Sequence, residues 1–206
     1  MRLFLVTHAE TDWTTVGRFQ GHTDIPLNAQ GKQQAELLQQ RLAQELLDAI
    51  VASDLRRALE TAMIIATPHG LPVQTDPRLR ELHFGDWEGL TYAEVYQKDP
   101  HGLAAWQHNL LEFSTPGGER LPALADRLHD FLHDLMSRLP DRQVLVVAHR
   151  GSVRVMLCLL LGIPVQNLWQ FRLDVASLTE VRVSAEKVEV LRLNEHQSES
   201  EAQHDR

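Results

Sequence analysis

One cysteine, two tyrosines and no excess of positive charge set the first limits on this 206-residue chain. With Cys158 alone, no intramolecular disulfide can form, and a reducing compartment is expected. The formal net charge is -8, which excludes a broad electrostatic footprint for nucleic acid. A local cationic pocket on such a chain would select a small anion. The apolar run 155-VMLCLLLGI-163 falls short of the roughly 20 residues that span a bilayer, and reads as core around Cys158. No signal-peptide hydrophobic region with a cleavage site stands at the N-terminus. A cytoplasmic protein with neither membrane nor nucleic-acid partners is therefore expected. There is no glycine-rich nucleotide loop. The stretch 129-HDFLH-133 imitates a zinc-binding helix, but has Asp where that motif has Glu. Its neighbouring leucines explain it as helix packing, and no metal is expected.

What is present is an ordinary globular composition, 43% apolar and 23% charged, long enough for one sizeable core. Residues 2–6, 49–53 and 143–149 read as strands buried on both faces, and 71–75 as a shorter strand. Helices are predicted from Asn28, a candidate cap, with Ala35, Leu38, Leu42 and Leu46 inward; over 54–67, with Leu55, Leu59, Met63 and Ala66 inward; over 122–138; and over 151–161. Short helices fall in 91–112, and 177–183 with 187–193 alternate like a hairpin. This order predicts an α/β domain over 1–193, with three layers and a mostly parallel sheet carrying helices on both faces. The polar segment 194–206 is expected to be a disordered tail.

In open α/β sheets, sites form at the carboxyl ends of strands. His8, Asp54 and His149 all stand at such ends. A lone strand-end histidine is more often structural than catalytic, but neighbouring motifs add the rest of a site. The stretch 53-SDLRRALETA-62 places Arg56 and Arg57 at a helix start, where N-terminal amides and guanidinium forks both favour phosphate. The stretch 78-RLRELHFGDWEG-89 places Glu81 in a loop where a carboxyl group could act as a general acid. A nucleophilic histidine, a cationic clamp and a carboxylic acid together suggest phosphoryl transfer without a metal. Trp87, Trp106 and Trp169 read as packing residues first and as cleft walls second; Phe84 and His83 follow Glu81 closely enough to touch a substrate.

The segments LVTHAETDW, GRFQGHTDIPLNAQG, ASDLRRALETA, RLRELHFGDWEG, PGGE and VLVVAHRGSVR, in this order, resemble the phosphoglycerate-mutase-like branch of the histidine phosphatase superfamily. The resemblance implies that His8 is the phosphorylated nucleophile and Arg57 a clamp on the phosphoryl oxygens. It implies that Glu81 protonates the leaving alkoxide and then activates water, and that His149 supports the transition state. Gln20 and Gly21 match the loop at the substrate entrance. The implied reaction goes through phospho-His8 and needs no cofactor. The segment between Trp87 and Leu121 is shorter than in the mutases, which points to a phosphatase acting on a small phosphorylated metabolite. The later part, including 167-NLWQFRLDVAS-177, resembles phosphoserine and ribazole phosphatases. Dimers are common among the relatives, so a homodimer or a heterodimer with an active paralogue is expected, and 155–171 offers either an interface or core.

The chain departs from the family pattern at three places. Thr7-His8-Ala9 stands for Arg-His-Gly, Thr14 for an asparagine, and Arg150 for a glycine. A threonine hydroxyl supplies a neutral hydrogen bond where arginine supplies a charged fork. Either Arg150 or Arg18 restores the charge and the enzyme turns over, or the chain is a binding or regulatory subunit on a phosphatase fold. Thr7, Thr14 and Arg150 are accordingly expected beside the bound phosphate.

Overall fold

The apolar run after Met1 forms β1 (Arg2–Thr7), in which Leu3, Phe4, Leu5 and Val6 are all 0% exposed. Such a strand has to be covered on both faces. In the computed structural model, which describes residues 1–196, the cover comes from helices on each side. A short helix, α1 (Asp12–Thr15), interrupts the loop after β1. Then follow α2 (Ala29–Leu42), β2 (Ala49–Ala52), α3 (Arg56–Ala66) and β3 (Val73–Thr75). The chain continues through α4 (Tyr92–Lys98), α5 (Pro100–His108), α6 (Leu121–Arg138), β4 (Gln143–Ala148) and α7 (Arg150–Leu161), and ends on β5 (Leu178–Val183) and β6 (Val188–Glu195). β6 enters the segment read as tail; residues 197–206 lie outside the described part.

The sheet order is β3-β2-β4-β1-β5-β6. β1, β2, β3 and β4 pair in parallel, while β5 runs antiparallel to β1 and forms the expected hairpin with β6. One core face packs α6 and α7 against the sheet, the other packs α2 and α3. The predicted three-layer α/β architecture is the one observed. A separate aromatic cluster around Trp87, Val95 and Leu103 joins α4 and α5 to the body. Cys158 is fully buried and free, and Val155, Met156 and Leu157 share that core. Among the described residues no helix is long and apolar enough to cross a membrane.

Two predicted helix faces need correction. Asn28 does cap α2, its side chain accepting from Gly31 N at 2.7 Å. The helix stops at Leu42, however, and Leu46 is 80% exposed in the following loop. In α3, Met63 is 58% exposed and Leu59 only half-buried; the buried face carries Arg57, Ala58, Thr61, Ala62, Ile65 and Ala66. Small side chains let this helix lie close to the sheet, and its inward face includes a charged residue that an apolar-stripe reading passes over.

Candidate active site

The sheet register assembles the site. β1 and β4 are neighbours, and Thr7 pairs with Ala148. The next residues, His8 and His149, therefore leave the sheet side by side although 141 positions separate them. Their rings meet edge to face with centroids 5.2 Å apart. β2 lies on the other side of β4 with Ala52 opposite Val147, which brings Ser53 beside His149. The Ser53 hydroxyl is 2.9 Å from His149 Nε2.

His8 is held in one protonation geometry. Its Nδ1 lies 2.8 Å from the Ala9 carbonyl. A carbonyl only accepts, so Nδ1 carries the proton and Nε2 keeps its lone pair. Nε2 makes no hydrogen bond to any of the described residues. Burial pushes the pKa of His8 well below its ordinary value, and the Arg57 charge adds to the effect. Burial likewise holds His149 well below the usual histidine range, with Arg57 and His8 contributing. Both rings are neutral at pH 7.

Arg57 is 0% exposed. Its Nη2 donates to Gly21 O at 2.6 Å and Nη1 to Thr23 O at 3.1 Å, while Nε has no partner. Burial lowers its pKa to about 10, against the pull of Glu81, Asp24 and Glu88, so the cation persists at neutral pH. Gln20 is buried, with Oε1 accepting from Thr11 and Nε2 unpartnered. His149 Nδ1 is unpartnered as well. Buried polar atoms are almost always satisfied, so the unpartnered atoms on Gln20, Arg57 and His149 are hydrogen-bonding capacity left open at these candidate residues.

Glu81 faces this group from the loop before α4. Its Oε1 accepts from Leu82 N and its Oε2 from Gly151 N, each at 2.9 Å. The second bond ties it to the first turn of α7. A side chain at Gly151 would displace the Glu81 carboxylate, because a Cβ there would collide with Glu81 Oε1. Gly21 has a similar constraint: a Cβ would strike Glu88 Oε1. The Glu88 carboxylate gathers the entrance loop, accepting from His22 N at 2.8 Å, Thr23 N at 2.7 Å and Phe84 N at 3.1 Å.

The remaining sequence candidates separate. The Thr7 hydroxyl donates to Asp174 O at 2.6 Å and accepts from Ser177 N at 3.0 Å. Thr14 donates to Thr11 O and accepts from Thr11 N, both at 2.9 Å, as part of the α1 capping box. Both hydroxyls are engaged by backbone. Arg18 donates to Gly89 O at 2.5 Å and pairs with Glu94 at 3.0 Å. Arg56 is exposed and pairs with Glu60, and Asp54 is bonded to Arg80 at 2.8 and 2.6 Å. Arg150, by contrast, is exposed, has no ion pair among the described residues, and acts electrostatically on His8. His129 and His133 are exposed beside Asp130 and Asp134, and no group of three metal-binding side chains exists among the described residues.

A cavity of about 370 Å³ opens from the site. Glu81, Gln20, Arg150 and Gly151 line its inner end, while Phe19, Phe84, Trp106 and Trp169 supply its walls. Trp87 is instead buried in the aromatic cluster.

Sequence reasoning missed several supporting residues. Ser53 was detectable as the residue following β2. Thr61 accepts from Ala9 N at 3.1 Å and so fixes the nucleophile's loop. Arg127 carried no signal: it looks like a surface residue of α6, yet donates to the carbonyls of Arg78, Arg80 and Glu81.

The two neutral histidines make a stability prediction. Unfolded histidine titrates near 6.5, and the folded rings titrate well below it. Below about pH 6.5 the unfolded chain therefore binds more protons, and stability falls with pH by up to about 1.4 kcal/mol per pH unit for each ring. Tm measured from pH 7.5 to 5.5 should decline, and His8→Gln with His149→Gln should flatten most of that slope. His22 and His69 are shifted in the same direction and leave a residue. An equal slope in the double variant would show that the pair is not held neutral.

Comparison with known proteins agrees with this geometry. Residues 3–196 match the family profile of the histidine phosphatase superfamily (branch 1). "Phosphoserine phosphatase 1" of Hydrogenobacter thermophilus is 37% identical over 194 residues, covering 94% of this chain and 92% of that protein. "Glucosyl-3-phosphoglycerate phosphatase" of Mycolicibacterium vanbaalenii is 38% identical over 173 residues, covering 81% and 76%. The crystal structure of the alpha-ribazole phosphatase from Shigella flexneri superposes with a TM-score of 0.88 at 30% identity, covering 95% of this chain and 96% of that one. With paired strand-end histidines, a buried arginine and a facing carboxyl group in the matched region, the chain belongs to the histidine phosphatase superfamily, branch 1.

Proposed function

We propose that this chain is a metal-independent phosphomonoesterase that moves the phosphoryl group of a small phosphorylated metabolite first to His8 and then to water. The observation that carries the reading is the free lone pair on His8 Nε2, fixed by the Nδ1 contact to Ala9 O on a ring packed against His149. In the first step Nε2 attacks phosphorus, the ester P–O bond breaks, and Glu81 gives its proton to the departing oxygen. In the second, Glu81 takes a proton from water, the hydroxide attacks phosphorus, and the P–N bond breaks to release phosphate. Arg57 and His149 stabilise the charge on the equatorial oxygens. The relatives named above, each a phosphatase of a small metabolite, support the reaction class. A purely binding role rests on the departures at Thr7 and Thr14, while the candidate nucleophile, proton donor and clamp are all retained. The buried single thiol suits a cytoplasmic setting.

Arg150 takes the place that Thr7 leaves empty of charge. It is the cation next to His149 with no carboxylate partner among the described residues, and the Thr7 hydroxyl is held by Asp174 and Ser177. Turnover of para-nitrophenyl phosphate in EDTA is expected for the wild type. Arg150→Ala should lower kcat/KM by on the order of 100-fold, the scale of one lost transition-state donor. No turnover in EDTA would sink the metal-free reading. Unchanged kinetics in Arg150→Ala would remove that residue from the phosphate pocket.

A further inference from the structure

The cavity touches Glu81, Gln20 and Arg150 but none of His8, Arg57 and His149. It therefore meets the phosphoryl pocket on the side of the proton donor, and on the phosphatase reading it holds what leaves. Its chemistry is unlike that of a pocket for a small polar leaving group. The walls are aromatic: Phe19 stands edge to face with Phe84 at 5.2 Å and with Trp106 at 5.8 Å, and Trp106 with Trp169 at 5.7 Å. Trp169 is 52% exposed although it lines the cavity. The Trp106 indole N–H is buried without an acceptor.

One charged group is set into these walls. Arg154 lies one turn beyond Arg150 on α7, about 6 Å further along the axis, and both line the cavity. Its guanidinium stacks on Trp169, 5.0 Å from the ring centroid. Nε donates to Phe171 O at 2.9 Å and Nη2 more weakly to Leu173 O at 3.4 Å, which fixes the group in place. Nη1 has no partner, and no carboxylate of the described residues pairs with this half-buried cation. Arg18, also in the lining, is already neutralised by Glu94. A desolvated cation on an aromatic face, held rigid and unpaired, is built for an incoming anion.

We propose that the preferred leaving group combines a flat apolar body, seated among Phe19, Phe84, Trp106 and Trp169, with a second anionic oxygen group, a carboxylate or a phosphate, seated on Arg154. The inference rests on the phosphatase reading only for the orientation of the ligand; the subsite itself can be tested without turnover.

The test is calorimetric binding of non-hydrolysable phosphonates to the full chain. Phenylphosphonate has the ring without the second anion, and phosphonoacetate has the anion without the ring. Para-carboxyphenyl phosphonate and para-phenylene diphosphonate have both, and distinguish carboxylate from phosphate. A wild-type preference of about 10-fold or more for a two-featured ligand over both single-featured ones is expected, the scale of a charge-assisted hydrogen bond. In Arg154→Gln the ratio between para-carboxyphenyl phosphonate and phenylphosphonate should collapse toward one. In Trp169→Ala the ratio between para-carboxyphenyl phosphonate and phosphonoacetate should shrink instead. Affinities within two-fold across the wild-type series overturn the proposal, as does an unchanged ratio in Arg154→Gln. If the wild type hydrolyses aryl phosphate but lacks the selectivity, this inference alone falls. If it binds selectively but never turns over, the phosphatase reading falls and the subsite stands.

Discussion

Alanine at position 8 is expected to lower kcat on aryl phosphate by on the order of 10⁴-fold or more, with the fold intact. The ring offers the free lone pair that the proposed reaction uses, and loss of an activated nucleophile leaves only what binding and electrostatics supply. His8 is buried, but its removal costs little structurally. It makes one side-chain hydrogen bond, to the carbonyl of its own neighbour, and its neutral, desolvated ring is a burden at acidic pH. Rapid alkaline quench of the wild type during turnover, followed by intact-mass analysis, should show a phosphoryl adduct that is absent from His8→Ala. Residual turnover in His8→Ala within 10-fold of wild type would mean that water attacks phosphorus directly, and the two-step scheme would be wrong.

Methionine in place of Arg57 should separate activity from stability. The cation is completely buried and has no direct carboxylate partner among the described residues. Its pKa, pushed down from 12.5 to about 10 by burial, corresponds to about 3 kcal/mol of unfavourable charge in the folded state. Methionine fills similar space and removes that charge, at the expense of the hydrogen bonds to Gly21 O and Thr23 O. These contributions nearly offset, so Tm should move by only a few degrees. Activity should fall by on the order of 10³-fold, because the clamp on the phosphoryl oxygens is gone. Vanadate or phosphate binding should weaken in parallel. A large fall in Tm with activity kept per folded molecule would recast Arg57 as a brace for the entrance loop rather than a ligand clamp.

The places where residue patterns misled are informative for the same reason. In α3 the spacing of Leu55, Leu59, Met63 and Ala66 suggested one inward face, but the helix turns Arg57 and Thr61 toward the sheet and leaves Met63 in solvent. Amphipathic reading assumes that inward residues are apolar, and it fails where the inward face is chemistry. Arg127 and Arg154 were invisible for a related reason. Each is one arginine on a helix, and its meaning comes from carbonyls and rings contributed by distant segments.

The sequence by itself determined the layered α/β class and the buried strands, and it pointed to His8, Arg57, Glu81 and His149 as the candidate site. Runs of apolar residues, strand ends and ordered motifs are local properties, readable without knowing which strands are neighbours. Only the tertiary structure placed the groups around the missing arginine. It pairs Thr7 with Ala148 across β1 and β4, turns the Thr7 hydroxyl to the backbone of Asp174 and Ser177, and leaves Arg150 unpaired beside the site. It also built the aromatic cavity, whose walls come from the segments around residues 19, 84, 106 and 169. Cavities and charge balance are sums over groups far apart in the chain, and only the fold fixes which groups are summed.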